Sequence, residues 1–247
     1  MSATLHLSRV RLRALHGEAL SAIAPLLIPA DKNQRVGHSH HIVWLLFQEF
    51  PDAARDFLWR DEGNGRYMIL SHRPPTDPHS LFEVETRLFE PHLAKGDHLA
   101  FVMRANPAMA SKSALDAAQR EKRQRGKRVD VVMHALFNAH SQQERKHLHE
   151  VGELAPLRDK IVAVEGEKWL AAQGESNGFS LVADSIVIDG YEQVPVERRR
   201  GRPAGFSKLD MAGKLAIADP ALFLAKLARG FGAAKAFGNG LMLIRRA

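Results

Sequence analysis

FLWRDEGNGRYMILS, residues 57–71, decides the first part of the fold because two strand-like runs flank a turn. The runs Phe57–Trp59 and Arg66–Ser71 are rich in aromatic and aliphatic side chains, which favour pleated structure. Between them, Asp61–Gly65 contains the dipeptide Asn-Gly, the strongest short-range signal for a tight hairpin turn. The stretch therefore predicts an antiparallel hairpin.

The segments on both sides extend this hairpin to a larger unit. Upstream, the alternation in Leu5–Leu12 predicts a half-buried strand, and the apolar spacing of His38–Phe47 predicts a helix packed on a sheet. Downstream, Ser80–Phe89 is predicted as a helix and His98–Arg104 as a strand. Strand, helix, hairpin, helix and strand follow the βαββαβ order of a ferredoxin-like unit.

The C-terminal part returns to the same alternation. A strand is predicted at Ser180–Ile188, and Phe206–Ala218 contains another. An amphipathic helix, Ala221–Arg229, begins after Asp219-Pro220, and a last strand is predicted at Leu241–Ile244. Because the two ends look like two copies of one architecture, the predicted fold class is α+β, with two tandem ferredoxin-like (RRM-like βαββαβ) domains.

The boundary between these domains is predicted near residue 96. Residues 1–95 form the N-terminal domain and 96–247 the C-terminal domain, which contains a basic, partly helical insertion at about 108–165. The predicted elements of the insertion are a strand and two helices: Val129–Met133, Gln142–Val151 and Leu157–Ala172.

Composition narrows the range of functions. The formal net charge is +7, which favours polyanionic partners: nucleic acid, with an anionic membrane surface as the competing choice. The chain has no cysteine, so disulfides, thiolate catalysis and cysteine-based zinc sites are excluded. The first residues are too polar for a signal peptide, and no apolar run is long enough to cross a bilayer, so the expected location is cytoplasmic.

Three histidines, His38, His40 and His41, cluster where the predicted helix begins. Imidazole exchanges protons near neutral pH, and RNA brings its own nucleophile, the 2′-hydroxyl. One or two of these histidines could therefore cleave RNA with cations nearby, and Lys32 and Arg35 lie just upstream. Surface or helix-cap histidines remain an alternative because the chain has 13 histidines, and so does a metal site, although no third-ligand pattern accompanies the cluster.

Two basic runs, 119–128 and 198–202, lie inside the chain rather than in tails. Such runs are often only solvated surface, but two of them in a basic chain favour phosphate contacts. Aromatic residues make up 7% of the chain and do not interleave with the runs, so backbone contacts to a duplex or hairpin are favoured over base stacking. The predicted RNA-binding residues of the runs are Arg120, Lys122, Arg123, Arg125, Lys127, Arg128, Arg198, Arg199, Arg200 and Arg202.

A glycine-rich segment, Gly230–Gly240, precedes the last predicted strand. Its glycines permit close approach of a phosphate, and Lys235 adds a positive charge, so Lys235 joins the predicted RNA-binding residues. The segment lacks the P-loop pattern and precedes no helix; a plain tight loop is the alternative.

Together these segments resemble the CasE family, the repeat-RNA endoribonucleases of type I-E CRISPR (Cascade) systems. In the N-terminal half the resemblance rests on the opening strand Leu7–Val10, on His40 with Trp44, and on the PDAARDFL segment Pro51–Leu58. In the rest of the chain it rests on the RANP tetrapeptide Arg104–Pro107, the Lys-Trp-Leu helix at Lys168–Leu170 and the glycine-rich segment Gly230–Gly240. It touches both halves of the chain.

The resemblance implies two tandem ferredoxin-like domains, a basic hairpin that grips a repeat stem-loop, and cleavage at the base of the stem without metal or cofactor. It also implies that the enzyme retains its product. The expected partners are therefore the CRISPR repeat RNA hairpin, as precursor and mature crRNA, and other Cascade subunits, with no membrane.

The resemblance assigns the catalytic role to His40, which precedes Pro51 by eleven residues as the family pattern requires. His16 is closer to the usual distance from the N-terminus, but it precedes the Gly17–Gly37 stretch, which is longer here than usual. Many family members carry a tyrosine three positions before the histidine, where this chain has Gly37. His38 or His41 are therefore the possible helpers. Residues 137–165 read as an insertion relative to the family.

Two other functional classes are weighed against a nuclease. A non-catalytic structured-RNA-binding subunit of a ribonucleoprotein complex would keep the basic runs and the fold, with His40 as a helix-start residue. A DNA-binding regulator would need a helix-turn-helix, and the sequence contains no convincing one.

Overall fold

Two larger antiparallel sheets and one two-stranded sheet organise the described residues. The structure, a computed structural model, describes residues 4–13, 32–48, 55–111, 127–196 and 204–247. In these ranges the strands are β1 His6–Leu12, β2 Phe57–Gly63, β3 Arg66–Ser71, β4 Phe82–Leu88, β5 His98–Ala105, β6 Ala108–Ser111, β7 Lys127–Asp130, β8 Phe179–Leu181, β9 Val187–Val196, β10 Ala204–Ile217 and β11 Met242–Arg246. The helices are α1 Lys32–Leu45, α2 Val131–Ala139, α3 Gln142–Glu150, α4 Leu154–Asn177 and α5 Pro220–Arg229, with a 3₁₀ turn at Lys235–Phe237.

The first sheet has the strand order β2-β3-β1-β4, and all its neighbouring pairs are antiparallel. Asn64 and Gly65 both adopt positive φ angles, 52° and 69°, as a two-residue turn between twisted strands requires. The predicted hairpin is therefore confirmed. One face of the sheet buries its apolar residues against α1 in a core that contains Val10, Ile42, Val43, Leu46, Phe57, Trp59, Tyr67 and Ile69.

The predicted helix at Ser80–Phe89 is wrong, because Phe82–Leu88 forms the edge strand β4 beside β1. Its glutamates and arginine favour a helix by propensity, but apolar and polar residues alternate with the period of a strand. His98–Arg104 is a strand as predicted, yet as β5 it belongs to the second sheet. The predicted order had a second helix between the hairpin and the fourth strand of the first unit. Among the described residues, β4 follows β3 with no helix between them.

The second sheet has the order β11-β5-β10-β8, and β9 also pairs with β10. This order repeats that of the first sheet, with β8 and β9 sharing one edge. Helices α4 and α5 contribute to the core that β5 and β10 also line, which includes Met103, Val162, Leu170, Leu209, Leu215, Phe223 and Leu227. The helix predicted at Ala221–Arg229 is confirmed as α5. The two helices predicted in the insertion are also confirmed, as α3 and as α4, which is longer than predicted.

Two predicted strands are only partly right. The strand predicted at Ser180–Ile188 is divided into β8 and β9. The one predicted at Val129–Met133 stops at Asp130, whose side chain accepts a hydrogen bond from the Met133 amide and so begins α2. The two sheets lie on either side of residue 96, and the division into 1–95 and 96–247 stays a prediction. No helix within the described ranges combines the length and apolarity needed to cross a membrane.

Candidate functional site

His40 lies on α1 where this helix meets the 3₁₀ turn of the C-terminal half. Its Nδ1 lies 2.7 Å from the carbonyl oxygen of Ala236. Because a carbonyl can only accept a hydrogen bond, Nδ1 carries the proton in this contact. In the neutral ring the other nitrogen, Nε2, therefore has a free lone pair. The fold thus fixes the tautomer that can act as a base at Nε2.

The surroundings of His40 keep the imidazole neutral. Burial is the largest influence and lowers the pKa of His40 below its ordinary value, and the positive charges of His41 and Arg55 lower it further. The hydrogen bond with Ala236 opposes this shift without reversing it. At neutral pH the ring is consequently unprotonated at Nε2 and able to accept a proton.

The rings of Trp44 and Phe237 flank His40. Its ring centroid lies 6.0 Å from that of Trp44 in an edge-on arrangement, and 5.9 Å from that of Phe237. Phe237 in turn stacks on Phe206, with centroids 5.2 Å apart and planes 18° from parallel. The helix, the 3₁₀ turn and β10 therefore form one aromatic wall beside the histidine.

The glycine-rich segment places the Ala236 carbonyl. Trp59 on β2 donates its indole N–H to this same oxygen at 3.2 Å. Gly238 lies against that indole with φ +76°, and a Cβ there would lie 3.0 Å from Trp59 Cζ3. Only glycine combines this backbone angle with so close an approach to the Trp59 ring, so Gly238 lets the segment pack against β2.

The RANP tetrapeptide anchors the other end of the glycine-rich segment. The side chain of buried Asn106 donates to the carbonyl of Ser207 on β10 at 2.8 Å. The Asn106 carbonyl accepts from the Ala233 amide at 3.2 Å. Asn106 therefore ties the segment to the second sheet, which gives this sequence motif a structural role.

A cluster of cations adjoins His40. The charge of Arg55 lowers the pKa of both His40 and Lys235, so Arg55 lies close enough to act on each. Burial lowers the pKa of Lys235 most, and the charges that lower it further are all positive: Lys226, Arg55, Arg128 and Arg229. We call these residues with Lys235 the cation cluster. A bound anion such as an RNA phosphate would relieve this mutual repulsion.

The predicted site residues are distributed unevenly. His41 is exposed, with its ring centroid 5.5 Å from that of His40, and the charge of Arg128 acts on Lys235. Lys127 is exposed at the start of β7. Lys32, Arg35 and His38 belong to α1, of whose first turns only the helical backbone is described. The other predicted residues lie outside the described ranges: Arg120, Lys122, Arg123, Arg125, Arg198, Arg199, Arg200 and Arg202, as does His16.

Three cations of the cluster, Arg55, Lys226 and Arg229, were not predicted from the sequence. Arg55 stands within the PDAARDFL segment, which was used only to recognise the family. Lys226 and Arg229 are three residues apart on α5, a spacing that places both on one helix face and is a signal available from the sequence.

The two tyrosines of the chain, Tyr67 and Tyr191, stand far in sequence from Gly37, where the family pattern has a tyrosine. Tyr67 is only 3% exposed, and burial, with the Asp61 carboxylate nearby, raises the pKa of its phenol. Tyr191 donates its hydroxyl to Asp130 at 3.1 Å. Among the described residues, His41 is a histidine neighbour of His40, with ring centroids 5.5 Å apart.

Comparison with known proteins gives a family and a fold. A family model described as CRISPR associated protein matches residues 5–246. No curated protein matches the chain by sequence. Among solved structures, the chain is similar to CRISPR endoribonuclease Cse3 bound to a 19-nucleotide RNA, with a TM-score of 0.64 and 21% identity over 99% of this chain and 100% of that one.

Two further structures agree. Thermus thermophilus Cse3 bound to an RNA representing a pre-cleavage complex has a TM-score of 0.63 and 21% identity, over 98% of this chain and 99% of that one. Cas6e from Escherichia coli K-12 has a TM-score of 0.50 and 18% identity, over 98% and 100%. These likenesses confirm the predicted fold class. Since the family model also spans far more than half of the sequence, this chain belongs to the CRISPR-associated protein family.

Proposed function

We propose that this chain is a metal-independent endoribonuclease that binds the stem-loop of CRISPR repeat RNA and cleaves precursor crRNA. The observation that carries the proposal is the state of His40: its Nδ1–H is bound to the Ala236 carbonyl, and its pKa is lowered. A neutral imidazole with a free Nε2, beside a cluster of cations, suits attack by a 2′-hydroxyl on the adjacent phosphate. The RNA-bound Cse3 structures support the same substrate class.

In the proposed reaction His40 is the general base. Its Nε2 takes the proton of the 2′-hydroxyl, the 2′ oxygen forms a bond to phosphorus, and the bond from phosphorus to the 5′ oxygen breaks. The leaving oxygen receives a proton from His41 or from water. The products are an upstream fragment with a 2′,3′-cyclic phosphate and a downstream fragment with a 5′-hydroxyl. The step needs no metal, because the histidine moves the proton and cations balance the charge at phosphorus.

The cation cluster supplies those charges. Arg55 and Lys235 lie near His40 and would stabilise the negative charge that builds on the phosphate oxygens. Lys226, Arg229 and Arg128 extend the positive surface and would hold the RNA backbone. We propose that the basic runs 119–128 and 198–202 grip the stem. Because cleavage leaves those stem contacts in place, the enzyme would retain the stem-loop product.

One experiment tests the proposal directly. Purified protein is incubated with an end-labelled repeat hairpin in excess EDTA, beside the same hairpin with a single 2′-deoxy substitution at the cut position. We expect one discrete cut, a cyclic phosphate on the upstream product, and no cut in the deoxy substrate. Activity that requires added magnesium would contradict the mechanism. Binding without cleavage would favour the alternative, a non-catalytic structured-RNA-binding subunit.

A further inference from the structure

Ser39, the residue before His40 on α1, has a buried hydroxyl that the proposed reaction does not use. The residue is only 6% exposed, and its Oγ donates to Oδ2 of Asp61 on β2 at 3.2 Å. Tyr67, which pairs with Asp61 across the hairpin, shares a further hydrogen bond with Ser39. Because the single hydroxyl proton of Ser39 goes to Asp61, Ser39 accepts this second bond and the phenol donates it. Two side chains of the first sheet therefore hold Ser39 in place.

Asp61 stands where the ladder between β2 and β3 is irregular. The register shifts between Asp61 and Gly63, and Oδ1 of Asp61 accepts from the Gly63 amide at 2.7 Å. One carboxylate oxygen is thus fixed by its own strand, and the other is left for the Ser39 hydroxyl of α1. Irregularities of this kind re-aim a side chain and are common beside active sites.

Strand β2 holds His40 in two ways. Side chains two residues apart lie on one face of a strand, so Trp59 and Asp61 both face α1. Trp59 donates to the Ala236 carbonyl, which also accepts from the His40 ring, and Asp61 binds the residue next to His40. The first contact fixes one end of the imidazole, and the second fixes the helix that carries it. Both contacts are needed to define where Nε2 lies.

Arg104, the first residue of the RANP tetrapeptide, joins this arrangement to the second sheet. Its guanidinium donates to the two carboxylate oxygens of Asp210 at 2.9 and 2.8 Å, and its Nη1 donates to the backbone carbonyl of Asp61 at 3.4 Å. The Arg104 carbonyl accepts from the Gly240 amide at 2.7 Å, at the end of the glycine-rich segment. Arg104 therefore contacts both the strand that holds α1 and the segment that carries Ala236.

We propose that Asp61 is a positioning residue for cleavage: through Ser39 it sets the rotation of α1, so that His40 stays bonded to Ala236 and presents Nε2 to the RNA. Arg104 keeps Asp61 aligned with the glycine-rich segment. Since Asp61 and Ser39 act through His40, they should govern the rate of the chemical step and not hairpin affinity. The rate prediction rests on the proposed function, but the orientation of the His40 ring is measurable without RNA.

The first test compares two buried serines. Ser39→Ala removes the hydroxyl and leaves a good helix former, so α1 should still fold. We expect its single-turnover cleavage rate to fall by about tenfold or more, because small misplacements of a catalytic group are costly, with hairpin affinity within about twofold. The control Ser71→Ala removes another buried hydroxyl of the first sheet, which donates to the Arg73 carbonyl, and should cleave at the wild-type rate. Equal rates in the two variants would make Ser39 merely structural and overturn the proposal.

A double-mutant cycle then tests whether Asp61 acts through Ser39. Asp61→Ala should also slow cleavage, and the double variant with Ser39→Ala should be no slower than Asp61→Ala alone. Independent roles would instead make the two losses multiply, which would contradict the proposal. Should Asp61→Ala fail to fold, Ser39→Ala and its control still decide.

The ring itself is followed by NMR of RNA-free protein labelled at its histidine nitrogens. The Nδ1 proton of His40 should be protected from solvent exchange in the wild type and in Ser71→Ala, and should lose that protection in Ser39→Ala. The outcomes separate this proposal from the proposed function. If the wild type cuts no hairpin, the proposed function fails, and the NMR comparison alone decides for Asp61 and Ser39. Full protection of the His40 proton in Ser39→Ala would overturn the positioning role.

Discussion

The His40 imidazole and the Trp59 indole donate to one and the same backbone oxygen, the carbonyl of Ala236. The two donors come from α1 and β2 of the N-terminal half, whereas the acceptor belongs to the C-terminal glycine-rich segment. The orientation of the proposed base therefore depends on how the two halves of the chain meet. A residue that holds the carbonyl can influence cleavage without touching the RNA.

Trp59→Phe tests this positioning role. The variant keeps an aromatic ring in the core but loses the N–H that steadies the Ala236 carbonyl. One such hydrogen bond is worth roughly 0.5–1.5 kcal/mol, so the single-turnover cleavage rate should fall by about twofold to tenfold. Hairpin affinity, measured in the same buffer, should stay unchanged because Trp59 is buried away from solvent.

Trp169→Phe is the matched control. Trp169 also donates its indole N–H to a backbone oxygen, that of Ala108, at 3.3 Å, but it belongs to the second core. The two variants should lose similar thermal stability, and only Trp59→Phe should slow cleavage. Equal cleavage rates in both would show that Trp59 is merely structural.

Gly238→Ala tests the same contact from the loop side. Gly238 has φ +76°, and its new Cβ would approach the Trp59 ring, so the loop and the Ala236 carbonyl must shift. We expect a loss of cleavage of about tenfold or more. Gly152→Ala is the control, since Gly152 has φ +77° and nothing within 4 Å of a new Cβ. It should lose only the Tm that about 1 kcal/mol of backbone strain produces, with normal cleavage.

Local signals in the sequence predicted much of the fold. The Asn-Gly turn determined the hairpin of β2 and β3 because positive φ angles at Asn64 and Gly65 are a property of those residues themselves. Phe82–Leu88 was wrong as a helix, because its pairing with β1 is a long-range contact that outweighs local propensity.

The candidate site was predictable only in part, for the same reason. His40 was proposed from a family motif, but the carbonyl that its ring contacts belongs to Ala236, 196 positions away along the chain. Arg55 and Lys226 reach the site from segments that carry no basic run, so only the folded chain brings them together. Asp130 was assigned to a strand, and its place as a helix cap beside a cavity depends on the chain turning there.

The pH dependence of cleavage should report the lowered pKa of His40. A general base acts in its neutral form, so kcat/KM should rise with pH through the pKa of His40 and level off above it. Because burial and neighbouring charges lower that pKa, the midpoint of the acidic limb should lie below 6.5. The measurement is kcat/KM for a labelled hairpin at constant ionic strength.

The variant Arg55→Gln extends the same measurement. It removes a positive charge that opposes protonation of His40, so the midpoint should move to higher pH. Arg66→Gln, a charge-matched change at the exposed end of β3, should leave the midpoint in place. A wild-type midpoint above 6.5, or one that Arg55→Gln does not move, would contradict the assignment of this limb to His40.

The cation cluster predicts a specific salt dependence. Replacing Lys226 and Arg229 with alanine should weaken hairpin binding. The slope of log affinity against log salt concentration should become shallower by roughly 0.7–0.9 for each phosphate that the variant no longer neutralises. The quadruple alanine variant of Arg123, Arg125, Lys127 and Arg128 should give the same signature. In the control, Lys146→Ala removes a cation on α3 that is paired with Glu150, and slope and affinity should not change. An unchanged slope in the first variant would mean that α5 lies outside the RNA path.

His40→Ala should separate chemistry from binding. Acid–base catalysis by one side chain is typically worth about 10²–10⁴-fold, so the single-turnover rate should fall by that factor. Hairpin affinity should stay within about twofold, because one neutral imidazole adds little beside several Lys and Arg contacts to phosphate. Both quantities are measured on the same preparation in EDTA, with gel-resolved cleavage and equilibrium binding to an uncleavable 2′-deoxy hairpin.

The neighbouring histidines complete this test. His41→Ala should slow cleavage less than His40→Ala, because water can replace His41 as the proton donor to the leaving 5′ oxygen, whereas the bond to Ala236 orients only His40. The single-turnover cleavage rates of His38→Ala and His16→Ala are measured in the same assay, because these histidines were the other candidates in the sequence. If His40→Ala cuts at the wild-type rate, the imidazole held by Ala236 is not the base. If His16→Ala alone loses cleavage, the assignment by distance from the PDAARDFL proline is wrong.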